Sequence, residues 1–205
     1  MNSLLVFLSF LMLADFSSFT FCRENSRGPF ETQCVQLDAG GKGEAKFKRR
    51  GADMIAAPLQ LSAAARDRFD AVIAATGNLN GGEKYESGRK VADLGKKHLT
   101  LVTPEGTKEA TYNFSERKEV TDLTSFFEAL LNQQTIGFDL DNAIQFDRLS
   151  VPKRLDQIET ELKSNRIADP DGLIGLLEKI ESDQRVMNYA RDHAGKIKRQ
   201  IQTKK

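Results

Sequence analysis

The sequence predicts an α+β fold: a small antiparallel sheet of two hairpins with packed helices, followed by a C-terminal antiparallel helical region. Three observations carry that prediction. Two pairs of alternating segments each flank a turn, residues 34–37 with 44–48 and residues 98–103 with 108–114. Apolar residues recur at the helical three-and-four interval in segments that open near Ser62, Thr121, Pro152, Asp169 and Gln184. Beyond Ile136 the strand signals stop. The chain therefore divides into an α+β domain at 32–135 and a helical, αα-hairpin region at 136–205, with the boundary between Ile136 and Leu149.

The chain opens on an apolar run, residues 4–14, and turns polar at Arg23-Glu24-Asn25. An apolar centre of this length near the N-terminus predicts an export signal, here over residues 1–22, and places the protein in the periplasm or outside the cell. Met1-Asn2-Ser3 lacks the basic residue that such signals carry. Asp15 opposes a transmembrane helix continuing to Phe21, since a mid-span carboxylate costs about 2.5–3.5 kcal/mol. Cleavage is expected after Thr20 or near Cys22. A membrane-anchored alternative would acylate Cys22, although Phe19-Thr20-Phe21 lacks the Leu-small-small run of such sites. With both cysteines retained, Cys22 and Cys34 could pair in an oxidising compartment; with Cys22 lost, Cys34 becomes a buried strand residue.

Residues 23–31 read as a tether. Cys34, Val35 and Leu37 start a strand, Asp38-Ala39-Gly40-Gly41-Lys42-Gly43 turns, and Ala45 and Phe47 alternate inward against outward charges. Residues 54–59 form a further strand that Pro58 confines to an edge. Ser62 caps a helix through Thr76, with Ala65, Phe69, Val72 and Ile73 on one stripe and Gly77 as its stop. After a polar loop comes the second hairpin, where Leu99 and Leu101 face Ala110, Tyr112 and Phe114 around Pro104-Glu105-Gly106-Thr107. A helix over 121–134 follows, then three more. Their short connections predict antiparallel packing between consecutive helices.

The 205 residues include 30 basic and 29 acidic side chains, two histidines, two cysteines and no tryptophan. The balanced charge gives no global attraction to nucleic acid or anionic membrane. The scarcity of ligating side chains gives no expectation of a metal or cofactor. About 180 residues beyond the leader suffice for a proper core.

Gly41-Lys42-Gly43-Glu44 with Phe47-Lys48-Arg49-Arg50, Pro58-Leu59-Gln60-Leu61-Ser62, Tyr85-Glu86-Ser87 with Asp93-Leu94-Gly95, and Ala190-Arg191-Asp192-His193-Ala194 together resemble a group of uncharacterised exported bacterial proteins. That resemblance implies no activity. The final helix pair is similar to a HEAT-type repeat, two antiparallel helices forming one stacking unit.

Several constellations bear on function. The loop from Glu83 to His98 gathers Glu86, Asp93 and His98, which as chemistry would be a general acid/base set for a hydrolase and as structure a solvated connection. Asp139-Leu140-Asp141 with Asp147 fails the calcium-loop pattern because Ala143 occupies a ligand position. Asp169-Pro170-Asp171-Gly172 is a helix start, with Asp169 as the cap. His193 falls on the apolar stripe of the last helix and reads as a packing residue. Asn113-Phe114-Ser115 matches a glycosylation sequon by pattern alone. The last helix is basic, and Arg191, Lys196, Lys198 and Arg199 are its candidate contacts for a protein partner or acidic surface. Lys46, Lys48, Arg49 and Arg50 form a second basic cluster. The leading expectation is a non-enzymatic exported interaction or envelope-associated module; the alternative is a hydrolase using Glu86, Asp93 and His98.

Overall fold

The computed structural model of the protein describes residues 16–203, Ser26 excepted. The apolar centre of the expected leader, residues 4–14, lies outside the described residues. Alternation builds the strands: β1 (Ser18–Glu24), β2 (Phe30–Asp38), β3 (Lys42–Arg49), β4 (Met54–Gln60), β5 (Lys96–Thr103) and β6 (Gly106–Tyr112). They make one antiparallel sheet in the order β4-β3-β2-β1-β5-β6. Both predicted hairpins are present as β2–β3 and β5–β6, and the strand holding Pro58 takes the predicted edge.

The two hairpins do not touch each other. β1 stands between them, and Phe21 is opposite Val35 on one side and Leu99 on the other. The expected leader boundary at Cys22 falls within this strand. A cut after Thr20 or near Cys22 would remove the strand that joins the two halves of the sheet. Ser18-Phe19-Thr20-Phe21 alternates as a half-buried strand should, with both phenylalanines buried and the hydroxyl residues on the other face. Cys22 and Cys34 are directly opposed on β1 and β2 and form a disulfide. Cys22, the residue that the anchored alternative would acylate, is bonded here to Cys34, and Cys34 is not a lone buried thiol.

One face of the sheet is covered by helices. α1 (Ala63–Ala75) begins at Ser62, whose hydroxyl accepts the Ala65 N–H at 3.2 Å, and it ends before Gly77, held at φ +62°. Its Phe69 meets Phe19 edge-on with ring centroids 6.1 Å apart. α2 (Lys118–Phe146) lays Phe127 across the sheet, stacked 4.9 Å from Phe19 and 5.2 Å from Phe21. Burying such rings contributes strongly to the stability of this half.

α2 corrects the predicted helix over 121–134. It runs on past Gly137 to Phe146, 29 residues and about 43 Å. Val120, Leu123, Phe127 and Leu130 belong to the sheet core, whereas Ile136, Leu140, Ala143 and Ile144 belong to a second core. No linker separates the two cores; they meet on this helix. Asp139 adds a cross-tie, accepting from Arg49 on β3 at 2.6 Å and lying 3.6 Å from Arg154.

The second core is closed by α3 (Val151–Lys163), α4 (Ile174–Ser182) and α5 (Asn188–Thr203), through Leu155, Ile158, Leu177, Ile180, Ala190 and Ile197. α4 packs chiefly on α5, as predicted, but α3 packs on α2 and α5 rather than on α4. The connection out of α3, with a 3-10 turn at Pro170–Leu173, is long enough to carry α4 away from it. No helix among the described residues is long and apolar enough to cross a membrane.

Candidate functional site

The loop from Glu83 to His98 is laced to the end of β6. Glu86 accepts the Asn113 backbone N–H at 2.6 Å, and Asp93 accepts the Gly95 N–H at 2.9 Å. The Asn113 side chain accepts from Leu94 at 2.8 Å and donates to the Ala92 carbonyl at 2.9 Å. Lys97 is buried beside them and donates to the carbonyls of Leu94 and Asn113 at 3.3 and 2.8 Å. Burial lowers its pKa. Both carboxylates proposed for acid/base work thus hold backbone amides of the loop and of the strand end. The Asn113 amide is hydrogen-bonded through both its oxygen and its nitrogen, and Ser115 is buried.

His98 points to the other face of the sheet from Lys97, because successive strand residues alternate. Its Nδ1 is 3.1 Å from the Thr111 hydroxyl and its Nε2 is 4.0 Å from Glu24. Directly across from His98 on β1 is Cys22. The disulfide therefore lies on the polar face of the sheet, where Thr20, Cys22, Cys34, Gln36, Lys46 and His98 are all half-buried or exposed.

In the helical half, α5 has two faces with different employment. His193 docks it on α3, with Nε2 3.1 Å from Glu159 and Nδ1 3.6 Å from Asp156. The Glu159 carboxyl is held below its usual range by Lys163 first and then by His193. Lys198 departs from the contact set predicted for it. Its ammonium is 2.5 Å from Glu181 and 3.7 Å from Glu178, so it clamps α5 to α4, and Glu181 raises its pKa. The sequence could not reveal this, because the pairing depends on how α4 crosses α5.

The other three predicted contacts, Arg191, Lys196 and Arg199, come together. They line a depression of about 480 Å3 whose remaining walls include Glu181, Asp192 and Gly195. Gly195 matters to its shape: a Cβ there would come within 3.0 Å of the Glu181 carboxylate. Arg191 donates to the Asn188 amide oxygen at 2.5 Å, and Tyr189 beside it is 57% exposed. The second basic cluster has a different fate. Lys46 pairs with Glu44, Lys48 is 2.8 Å from Glu31, Arg49 reaches Asp139, and Arg50 donates to the Gly28 and Asn25 carbonyls.

The largest departure from the predicted sites lies where the two cores join. Asp169, only 1% exposed, accepts both the backbone N–H and the hydroxyl of Ser62, at 2.8 and 2.6 Å. It also accepts the Gly172 N–H at 3.3 Å, the capping role that its sequence neighbourhood predicts. Gln133 of α2 grips the same residue through its backbone, accepting the Asp169 N–H and donating to the Asp169 carbonyl, both at 2.7 Å. Arg68 of α1 donates to the neighbouring Ala168 carbonyl. A cavity of about 350 Å3 opens beside this hub, between Ser62 and Arg68 on one side and Leu162, Ile167 and Ile201 on the other. Asp169-Pro170 signals a helix start in the sequence; nothing there signals that the carboxylate also starts α1.

No protein-family model and no curated protein matches the chain.

Proposed function

We propose that the protein is an exported, non-enzymatic interaction module whose contact surface is the outward side of α5. The observation that carries this reading is the cluster of Arg191, Lys196 and Arg199 around one depression on a helix that also exposes Tyr189. Tyrosine and arginine are the residue types that dominate binding energy at protein interfaces, and a group of cations selects a partner segment rich in carboxylates. Lys198 is left out of the contact set because its charge already serves the α4–α5 packing. Export draws support from the apolar run at 4–14 and from the Cys22–Cys34 disulfide, which suits an oxidising compartment. On this reading the leader ends before Phe16, so that β1 and its cysteine are retained.

The test is a charge reversal on this surface, Arg191→Glu with Lys196→Glu and Arg199→Glu, in the full chain. Capture of the partner from envelope extract is expected to weaken by more than about tenfold, with the melting curve little changed. Unchanged capture by the variant removes this surface from the proposal.

A further inference from the structure

We infer that the Cys22–Cys34 disulfide is a thiol–disulfide exchange site that a small dithiol reduces in the folded protein. The argument starts from strand register. Reading across the sheet, Lys46 on β3 is opposite Cys34, Cys34 is opposite Cys22, Cys22 is opposite His98 on β5, and His98 is opposite Thr111 on β6. All five side chains project to the same face, the one that α1 and α2 leave uncovered. Directly opposed residues bring their Cβ atoms to roughly 4.5–5.5 Å. The disulfide is thus flanked by an ammonium on one side and an imidazole on the other, and both of its cysteines are half-buried rather than sealed in the core. Lys46 pairs with Glu44, and His98 stands near Glu24 and Thr111.

Such a setting favours exchange for a stated reason. A disulfide opens when a thiolate attacks one sulfur and expels the other as a thiolate, and the better stabilised the departing thiolate, the faster it leaves. Cationic and hydrogen-bonding neighbours supply that stabilisation. Here attack of a dithiol on the Cys34 sulfur forms a mixed disulfide and releases the Cys22 thiolate beside His98. The second thiolate of the dithiol then attacks its own sulfur in the mixed disulfide, expels the Cys34 thiolate beside Lys46, and departs as a cyclic disulfide. Two electrons pass from the dithiol to the cysteine pair, and the two protons that the dithiol gives up are matched by those that the cysteines gain.

The sheet does not need the crosslink for its connectivity. β1 and β2 are paired at seven positions from Ser18–Asp38 to Glu24–Thr32, and each has a second neighbour in β5 or β3. Reduction therefore leaves the strands in place and converts one covalent state of the open face into another.

The experiment treats the full-length oxidised chain with dithiothreitol under native conditions, counting released thiols and following the far-ultraviolet circular dichroism. Two thiols are expected to appear with the dichroism retained. Lys46→Met and His98→Gln, singly, are each expected to slow release by about three- to tenfold, and Lys48→Met, on the same strand outside the row, to leave it unchanged. Thiols that appear only after denaturant is added overturn the inference, as does loss of the sheet signal on reduction. Equal release rates in the wild type, the Lys46 variant and the His98 variant overturn it as well, because the disulfide would then be merely accessible. The Lys46 variant, altered only at an exposed position, keeps the test decisive if the His98 variant fails to fold.

Discussion

The sheet half and the helical half reach similar burial by opposite routes. In the helical half, most contacts that close the core join neighbours along the chain, α4 with α5 and α3 with α2, with α3 also reaching α5. In the sheet half, the central strand comes from the beginning of the chain and finds one partner nearby and the other only after α1 has crossed the sheet. Loss of a helix in the first case thins a bundle. Loss of β1 in the second case leaves two hairpins with no common neighbour. The comparison teaches that the least conspicuous strand in the sequence holds the least replaceable position in the fold.

The sharpest way to break this comparison is truncation. A chain beginning at Arg23 lacks most of β1 and is expected to show no cooperative unfolding transition, whereas a chain beginning at Phe16 should melt as the full chain does. Equal melting of both chains by circular dichroism would mean that the hairpins can join directly. A point substitution sharpens the same contrast. Phe127→Ala removes the ring stacked on Phe19 and Phe21 and should cost about 3–5 kcal/mol, and Leu155→Ala in the second core about 2–5 kcal/mol. Because α2 serves both cores, each variant is expected to unfold in a single denaturant transition. Two separated transitions in the Leu155 variant would show that the halves unfold independently. The smallest of these effects falls at the joint: Asp169→Ala strands the Ser62 and Gly172 N–H groups and is expected to cost about 2–4 kcal/mol by urea titration. A loss under about 1 kcal/mol would show that the two cores are held together by apolar packing and the Arg49–Asp139 tie instead.

Much of the architecture was legible from the residues. Ser62 and Gly77 bracket α1, Pro58 marks the edge strand, and the second hairpin is present with Leu99 opposite Ala110, although Leu101 faces Lys108 and Phe114 lies beyond β6. β1 was not recognised although its alternation is clean, because it continues directly from an apolar run and shares its phenylalanines. The sequence gives no clear signal that α2 continues past Gln134 through Gly137, Asp139 and Asp141. The glycine has open space around it, and the two aspartates answer Arg49 and Lys179 from other elements. The candidate contacts divided on the same principle. The basic character of the last helix is readable in the sequence, whereas the Lys198 clamp and the Asp169 hub depend on partners that only tertiary crossing supplies.

The central position of β1 has a consequence in time. Residues 18–60 form a meander that can assemble in the order in which they emerge, strand upon neighbouring strand. The far side of β1 has no partner until residues 96–103 arrive, and Phe21 lacks its stacked partner until Phe127 follows. A growing or translocating chain therefore carries an unpaired strand edge through much of its synthesis. Such edges are templates for pairing with another chain. Pairing β5 with that edge is a long-range closure of the kind that slows folding.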